Sequence, residues 1–400
     1  LFTTSAANPN RDDTGTPKQI TYGGATRSRM SSQAMTRAKR MFFELNTGGD
    51  QITYRAKSGI VDKALAYALD HATQLGQPLT ADEEAQIKGL LTQHVDALVK
   101  KQDKTDEKKG AKARRGKAAE DTDDTETPDR DDAKKDTLVW LAEPELRRAA
   151  AEAIAAVRTG NGSDVTIVTS NGLNAGRTTS VSIAAFGRMF AARPELQNEA
   201  AIQRSHAFTT HPADIEPDYF TAVNDLPAQA EGRGAGHLAI SQLTGGVYYW
   251  HFNIDRRQLW DTWIPDTDDT ITRARLVSLL HALLIALPSG KQNTTAYKTL
   301  PDAVLTVEAT APVALHQAFE RPVSITNDQT GYRSPSLEAL LDTQRRLSEF
   351  TPTLFEAQNL ATVLDDVAPS PGVTVQSSLD TLIDAAVGWI LAGRPATGHR

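Results

Sequence analysis

Four hundred residues, 40% of them hydrophobic, with a formal net charge of -7, give a chain long enough for roughly two to three domains. The absence of cysteine excludes disulfides, thiolate zinc sites and catalytic thiols. No apolar run reaches the ~18 residues of a membrane span and no signal-like leader is present, so the expectation is a cytoplasmic protein with no membrane partner.

The opening Leu1-Phe2-Thr3-Thr4 reads as the tail of a strand, and a stretch with distinctive chemistry follows. From Thr14 to Phe43 there is no aspartate or glutamate, whereas Lys18, Arg27, Arg29, Arg37, Lys39 and Arg40 are all present. An acidic protein that gathers cations in one stretch is expected to meet an anion there. Gly23-Gly24 marks a turn, after which Arg27, Arg29 and Ser31 share one face of a strand and Thr26, Ser28 and Met30 the other. Ser31 or Ser32 then caps a helix whose core stripe is Met35, Ala38, Phe42 and Leu45, with Gln33, Arg37, Arg40 and Glu44 opposite. A helix N-terminus offers unpaired N–H groups and a partial positive charge, so a phosphate held there meets amides, hydroxyls and arginines together. A solvated basic face beside a core helix fits the same local pattern.

Helical periodicity continues over Ile60 to Leu75 and Ala81 to Val99, with Thr80 as a cap for the second. Lys100 to Lys117 is basic, Glu120 to Asp132 is acidic, and almost nothing is apolar between Val99 and Leu138. This reads as a disordered or loosely helical insertion in a helical subdomain. Beyond it, the pattern gives a helix over Leu138 to Val157 and strands at Val165 to Ser170 and Ser180 to Ala185. Pro212 to Gly246 reads as a long loop or hairpin around Tyr219-Phe220-Thr221. Gly246 to Ile254 is the strongest strand and Thr272 to Leu287 the strongest helix. Ala303 to Glu308 is a further strand, and Val313 to Phe319 and Leu379 to Leu391 are further helices. Strands and helices interleaved around one helical insertion make the expected class α+β with a single main sheet.

Catalytic and metal motifs are absent. His206 and His211 have the wrong spacing for one helix face, and no carboxylate completes a zinc set. Ser289-Gly290-Lys291-Gln292 lacks a phosphate loop's first glycine, where Ile285 stands, and its Ser or Thr, where Gln292 stands. No metal or cofactor is expected. Asp12-Asp13 is the one carboxylate pair to weigh as a metal or acid-base site, against a turn-capping and arginine-neutralising role. Met189, Phe220 and Leu238 stand in segments rich in Gly, Arg, Pro and Asp. Apolar side chains in such settings either insert between stacked bases or belong to a hairpin folded on its own sheet.

The segment NRDDTGTPKQITYGGATRSRMSSQAMTRAKR closely resembles the signature of the CasC family, the CRISPR-RNA-binding backbone subunit of the type I-E Cascade complex. VSIAAFGRM, SHAFTTH, DYFTAVNDL, GAGHLAISQLTGGVYY, PSGKQNT and ALHQAFE extend the resemblance in order. It implies an RRM-like (ferredoxin-like) palm from residues 1–45, 161–212 and 246–400. A helical fingers insertion would span 46–160, with the charged segment at about 100–135, and a thumb hairpin 213–245. Non-catalytic copies of such a subunit line up along CRISPR RNA and present its spacer to target DNA in antiviral defence. The other implied partners are CasA, CasB, CasD and CasE. By motif, Arg11, Lys18, Ser31, Gln33 and Arg40 contact the RNA backbone, with Arg27, Arg29 and Arg37 close by. Met189, Phe220, Thr221 and Leu238 form a wedge at a displaced nucleotide. The chain departs from the pattern at Thr36, where the family often has a basic residue, and the first palm strand is expected to be missing. The rival is a metal-dependent endoribonuclease like the related type III backbone subunits, with Asp12 or Asp13 as the acidic loop residue.

Overall fold

The computed structural model describes residues 1–49, 51–56, 58–99, 138–160, 176–190, 193–223, 235–325 and 331–395. The protein is mixed α+β and divides into two compact units. Residues 1–47, 201–260 and 266–400 form the main unit, and residues 48–200 with 261–265 form the second. Residues 176–200, grouped above with the palm, thus belong to the second unit. The charged insertion and the strand expected over Val165 to Ser170 lie outside the described residues.

The chain opens with β1 (Phe2–Ala7), β2 (Gln19–Tyr22), β3 (Ala25–Met30) and α1 (Ser32–Leu45). The opening residues, read as the tail of a strand, form β1, which pairs antiparallel with the later strand Ala235–Tyr249. Gly23 turns β2 into β3 with φ +60, and a Cβ there would run into the Glu320 carbonyl. The buried residues of α1 are Met35, Lys39, Phe43 and Glu44, whereas Leu45 is 74% exposed. Of the expected stripe only Met35 is fully buried, and Lys39, Phe43 and Glu44 take the other inward positions. Two charged side chains can face inward because Lys39 lies over the Trp250 ring and Glu44 pairs with Arg40.

The second unit contains β4 (Thr53–Ala56), α2 (Ile60–Gln74), α3 (Ala81–Val99), β5 (Val139–Ala142) and the helix Glu143–Thr159. Its core joins Ala64, Ala68, Ile87, Leu91, Leu146 and Ala150. The helix expected from Leu138 starts later. Val139–Ala142 pairs with β4, then Pro144 opens the helix and the Glu145 carboxylate accepts the Ala142 N–H at 2.8 Å. Ser180 to Ala185, expected as a strand, is instead the short helix Val181–Phe186, capped by Ser180 Oγ on Ile183 N–H. All six of its residues are buried, so the alternation that suggested a strand carried no information about faces. Arg188 and Glu145 form an ion pair at 2.7 Å with both side chains 1% exposed.

The main unit continues with β6 (Ile202–Arg204), β7 (Ala207–Thr209), β8 (Glu216–Val223), β9 (Ala235–Tyr249) and β10 (Phe252–Ile254). Further along are β11 (Ala303–Ala309), β12 (Phe355–Thr362) and β13 (Thr374–Val375). The principal sheet runs β1-β9-β7-β3-β2, with β8 pairing to β9 as an antiparallel hairpin. The strand expected over Gly246 to Ile254 is divided, its first half ending β9 and its second forming β10 against β6. Tyr248 and Tyr249 point to opposite faces yet are both buried, because the sheet is covered on both sides. Tyr248 stacks on Phe2 at 5.4 Å and Tyr249 packs on Phe319 at 5.0 Å. Val313 to Phe319 tightens to a 3-10 turn, His316–Phe319, instead of a full helix. The helices Asp269–Ile285 and Leu379–Ala392 match expectation within a few residues.

Candidate nucleic-acid interface

The candidate site lies where β3 passes into α1. Ser31 caps the helix, its Oγ accepting the Ala34 N–H at 3.2 Å, while its own N–H donates to Asn10 Oδ1 at 2.8 Å. Ser32 N–H donates to His206 Nδ1 at 2.8 Å. The helix N-terminus is therefore largely satisfied by the protein itself, and Gln33 N–H is the first-turn amide left open among the described residues. Ser31 is buried, its hydroxyl serving as the helix cap.

His206 is the residue that sequence reasoning missed. Burial, then the charges of Arg29 and Lys18, hold its pKa below the ordinary histidine value, so the ring is neutral. With Nδ1 accepting from Ser32, the proton sits on Nε2 and makes it a neutral donor beside two cations. Arg29 Nη1 reaches 3.4 Å from the same ring nitrogen, and Arg29 Nε donates to the Gln19 carbonyl at 3.3 Å. The Arg29 N–H donates to the Lys18 carbonyl at 2.7 Å, fixing these two residues side by side. Gln33 and Arg37, both exposed, stand one turn apart on the same face of α1. Arg11 is exposed next to Asn10. Lys18, Arg29, Gln33, Arg37, Arg11 and His206 thus make a surface of donors suited to an anionic chain.

Two of the expected residues are engaged within the protein. Arg27 is fully buried, its guanidinium donating to the carbonyls of Thr209 at 2.9 Å and Phe319 at 3.0 Å. It staples the sheet to the chain around Phe319, since a guanidinium taken out of water needs acceptors that only backbone supplies there. Arg40, expected on the exposed helix face, is 13% exposed and donates to both oxygens of Glu44 at 3.1 and 2.9 Å.

The carboxylate pair divides in the same way. Asp12 Oδ1 accepts from Thr14 Oγ1 at 2.8 Å, Thr14 N–H at 3.0 Å and Thr16 N–H at 2.9 Å. The Thr14 hydroxyl bond, with those backbone bonds, holds Asp12 below the usual carboxylate range. Asp12 is a turn cap, and Asp13 is exposed. Among the described residues no group of three or more His, Asp and Glu could hold a metal ion, and no helix is long and apolar enough to cross a membrane.

The hairpin of β8 and β9 rises from the same unit. Phe220, 49% exposed, is opposite Ala239, and Thr221 is opposite Leu238. Neighbouring residues of a strand point to opposite faces, so Phe220 and Thr221 cannot act on the same side of the hairpin. The face shared with Thr221 also carries Tyr219 and Ile240, which are paired and 64% and 58% exposed. The Asn8 side-chain amide donates to the Gln242 carbonyl at 3.0 Å and the Gly15 carbonyl at 2.9 Å, tying the hairpin to the loop that carries Arg11. Met189, 77% exposed, is in the second unit, held outward by Arg188, whose backbone exchanges hydrogen bonds with Asn198.

Comparison with known proteins extends these observations to the whole chain. A solved structure described as a CRISPR RNA-guided surveillance complex, pre-nicking, contains a chain 27% identical to this one, with 97% of each covered and a TM-score of 0.68. A chain of another, described as a CRISPR RNA-guided surveillance complex, shares the fold at a TM-score of 0.57 and 24% identity, covering 97% of this chain and 96% of that one. Comparison with curated proteins gives no match. The family model described as CT1975-like protein matches residues 1–385, and the chain belongs to that family.

Proposed function

We propose that this protein is a non-catalytic, CRISPR-RNA-binding backbone subunit of a surveillance complex, of the type I-E CasC kind. The carrying observation is the donor surface of Lys18, Arg29, His206, Gln33 and Arg37, with three cations and a neutral imidazole at a helix start and the nearby acid Asp12 engaged in its own turn. Such a surface reads phosphates and shape, leaving sequence to base pairing. The similarity to a chain of an RNA-guided complex supports the same reading. In this reading the main unit is an RRM-like palm, residues 46–160 are fingers, and the β8–β9 hairpin is a thumb. Copies assemble along CRISPR RNA with CasA, CasB, CasD and CasE in the cytoplasm and present the spacer to target DNA. The hairpin displaces a nucleotide, with Phe220 acting from one of its faces and Thr221 and the Leu238 position from the other, and Met189 is a separate exposed apolar contact.

The test is to purify the assembled complex, sequence its nucleic acid, and incubate it with complementary RNA and Mg²⁺. Copurifying CRISPR RNA and an uncut target are the expected outcome. Cleavage abolished by Asp12→Asn or Asp13→Asn would establish the endoribonuclease instead.

A further inference from the structure

The turn after the helix Asp269–Ile285 holds two side chains in the left-handed region of backbone space. Lys291 has φ +54 and Ala296 φ +46, the two non-glycine residues of the described chain with positive φ, and they bracket the four-residue helix Gln292–Thr295. A side chain in the left-handed region is strained and persists where the surroundings enforce it, commonly at binding sites. The surroundings here are known. Gly290 packs directly on the carbonyls of Asn8 and Pro9, with no room for a Cβ. The Lys291 carbonyl accepts from Thr294 and Thr295, and Tyr297 OH donates to the Pro288 carbonyl. The turn is thus held at Gly290 against the segment that leads into Asn10 and Arg11, and is closed on itself by the Tyr297–Pro288 and Lys291 bonds.

That clamp sets Lys291 beside the RNA-facing loop. Asn8 bonds Gly15 and the hairpin, Asn10 caps the Ser31 N–H, and Gly290 touches the residue between them. Lys291 is partly exposed and makes no ion pair among the described residues. An ordinary turn would place glycine or asparagine at such a φ. A lysine held there forgoes backbone ease in return for a cation in a fixed place.

We propose that Lys291 is a phosphate-binding residue, a further backbone contact for the anionic chain held by Lys18, Arg29 and Arg37. This rests on the RNA-binding reading above. The ligand class is the phosphodiester backbone, independent of base, because a lysine ammonium is a point charge without the planar fork that reads base edges or pairs bidentately.

The experiment measures binding of labelled oligouridylate and oligoadenylate of equal length across a KCl series, using the full chain and Lys291→Gly, Lys291→Arg and Arg29→Ala. Lys291→Gly relieves the backbone strain, so it is expected to melt no lower than wild type while binding both RNAs several-fold more weakly. Its salt slope should be shallower by about one unit, and Lys291→Arg should retain both affinity and slope. A Lys291→Gly protein with wild-type affinity and slope would overturn the assignment, and so would loss of affinity with the slope unchanged. If wild type and Arg29→Ala bind neither RNA, the RNA-binding reading itself fails and this inference with it.

Discussion

The Lys39 ammonium lies 4.6 Å from the centre of the Trp250 ring, inside the main unit and 1% exposed. Burial lowers its pKa from the ordinary 10.5 to about 7. The unfolded chain therefore binds more protons than the folded one between those two values, and stability rises with pH across that window. Below about 7 both states are charged, and the full desolvation cost is present. Between the two values the slope approaches about 1.4 kcal/mol per pH unit, before any offset from the ring's attraction for the cation. Urea unfolding from pH 6 to 10 should show this rise in wild type, and Lys39→Met should flatten it while being the more stable protein near neutrality.

Arg27 and Arg29 are two residues apart and should separate cleanly. Arg29→Ala is expected to weaken binding to RNA of any sequence and flatten the salt dependence by about one unit, with little change in melting. Arg27→Ala leaves the carbonyls of Thr209 and Phe319 without their buried donor, at roughly 1 to 3 kcal/mol for each group left unpaired. Thermal melts and filter binding on both variants check the pair. Equal melting of the two would contradict the assignment of Arg27 to the core.

Arg40→Ala should act on stability before binding. It removes the Arg40 guanidinium from Glu44, whose side chain is 6% exposed, and a lost bond to a charged group costs roughly 1.5 to 3 kcal/mol. Adding Glu44→Gln should recover most of the loss in a denaturant titration, because a neutral amide tolerates burial without a cation. No recovery in the double variant would show that Arg40 does something other than neutralise Glu44.

Phe220→Ala should cost less than the roughly 3 to 5 kcal/mol of a core phenylalanine, since the ring is half exposed. Its effect belongs to assembly. Mismatches scanned along a target strand should be tolerated at a regular interval in the wild-type complex, and Phe220→Ala should blur that pattern. A flat wild-type profile would remove the hairpin from nucleotide displacement.

Much of the interface is legible in the chain because its determinants are local. The acid-free run from Thr14 to Phe43, the Ser31 cap and the strand that precedes it depend on neighbours within a turn or a strand pair. What the chain alone does not reveal is which charges face water. Arg27 and Arg29 share a strand face by period, yet Arg27 is claimed by carbonyls 182 and 292 residues away and Arg29 is left near the surface. Lys39 lies inward over Trp250 and Glu44 inward in its pairing with Arg40, positions that the expected apolar stripe of α1 did not include. His206 joins the site only because β7 follows it beside β3, and no spacing in the sequence announces that. The helix Arg333–Phe350 and the strand β12 also escaped the pattern reading, their burial being set by packing against one another and β11. Local propensity and charge determined what this protein could hold. Long-range packing, which decides the cost of desolvating each charge, determined the residues that remain to hold it.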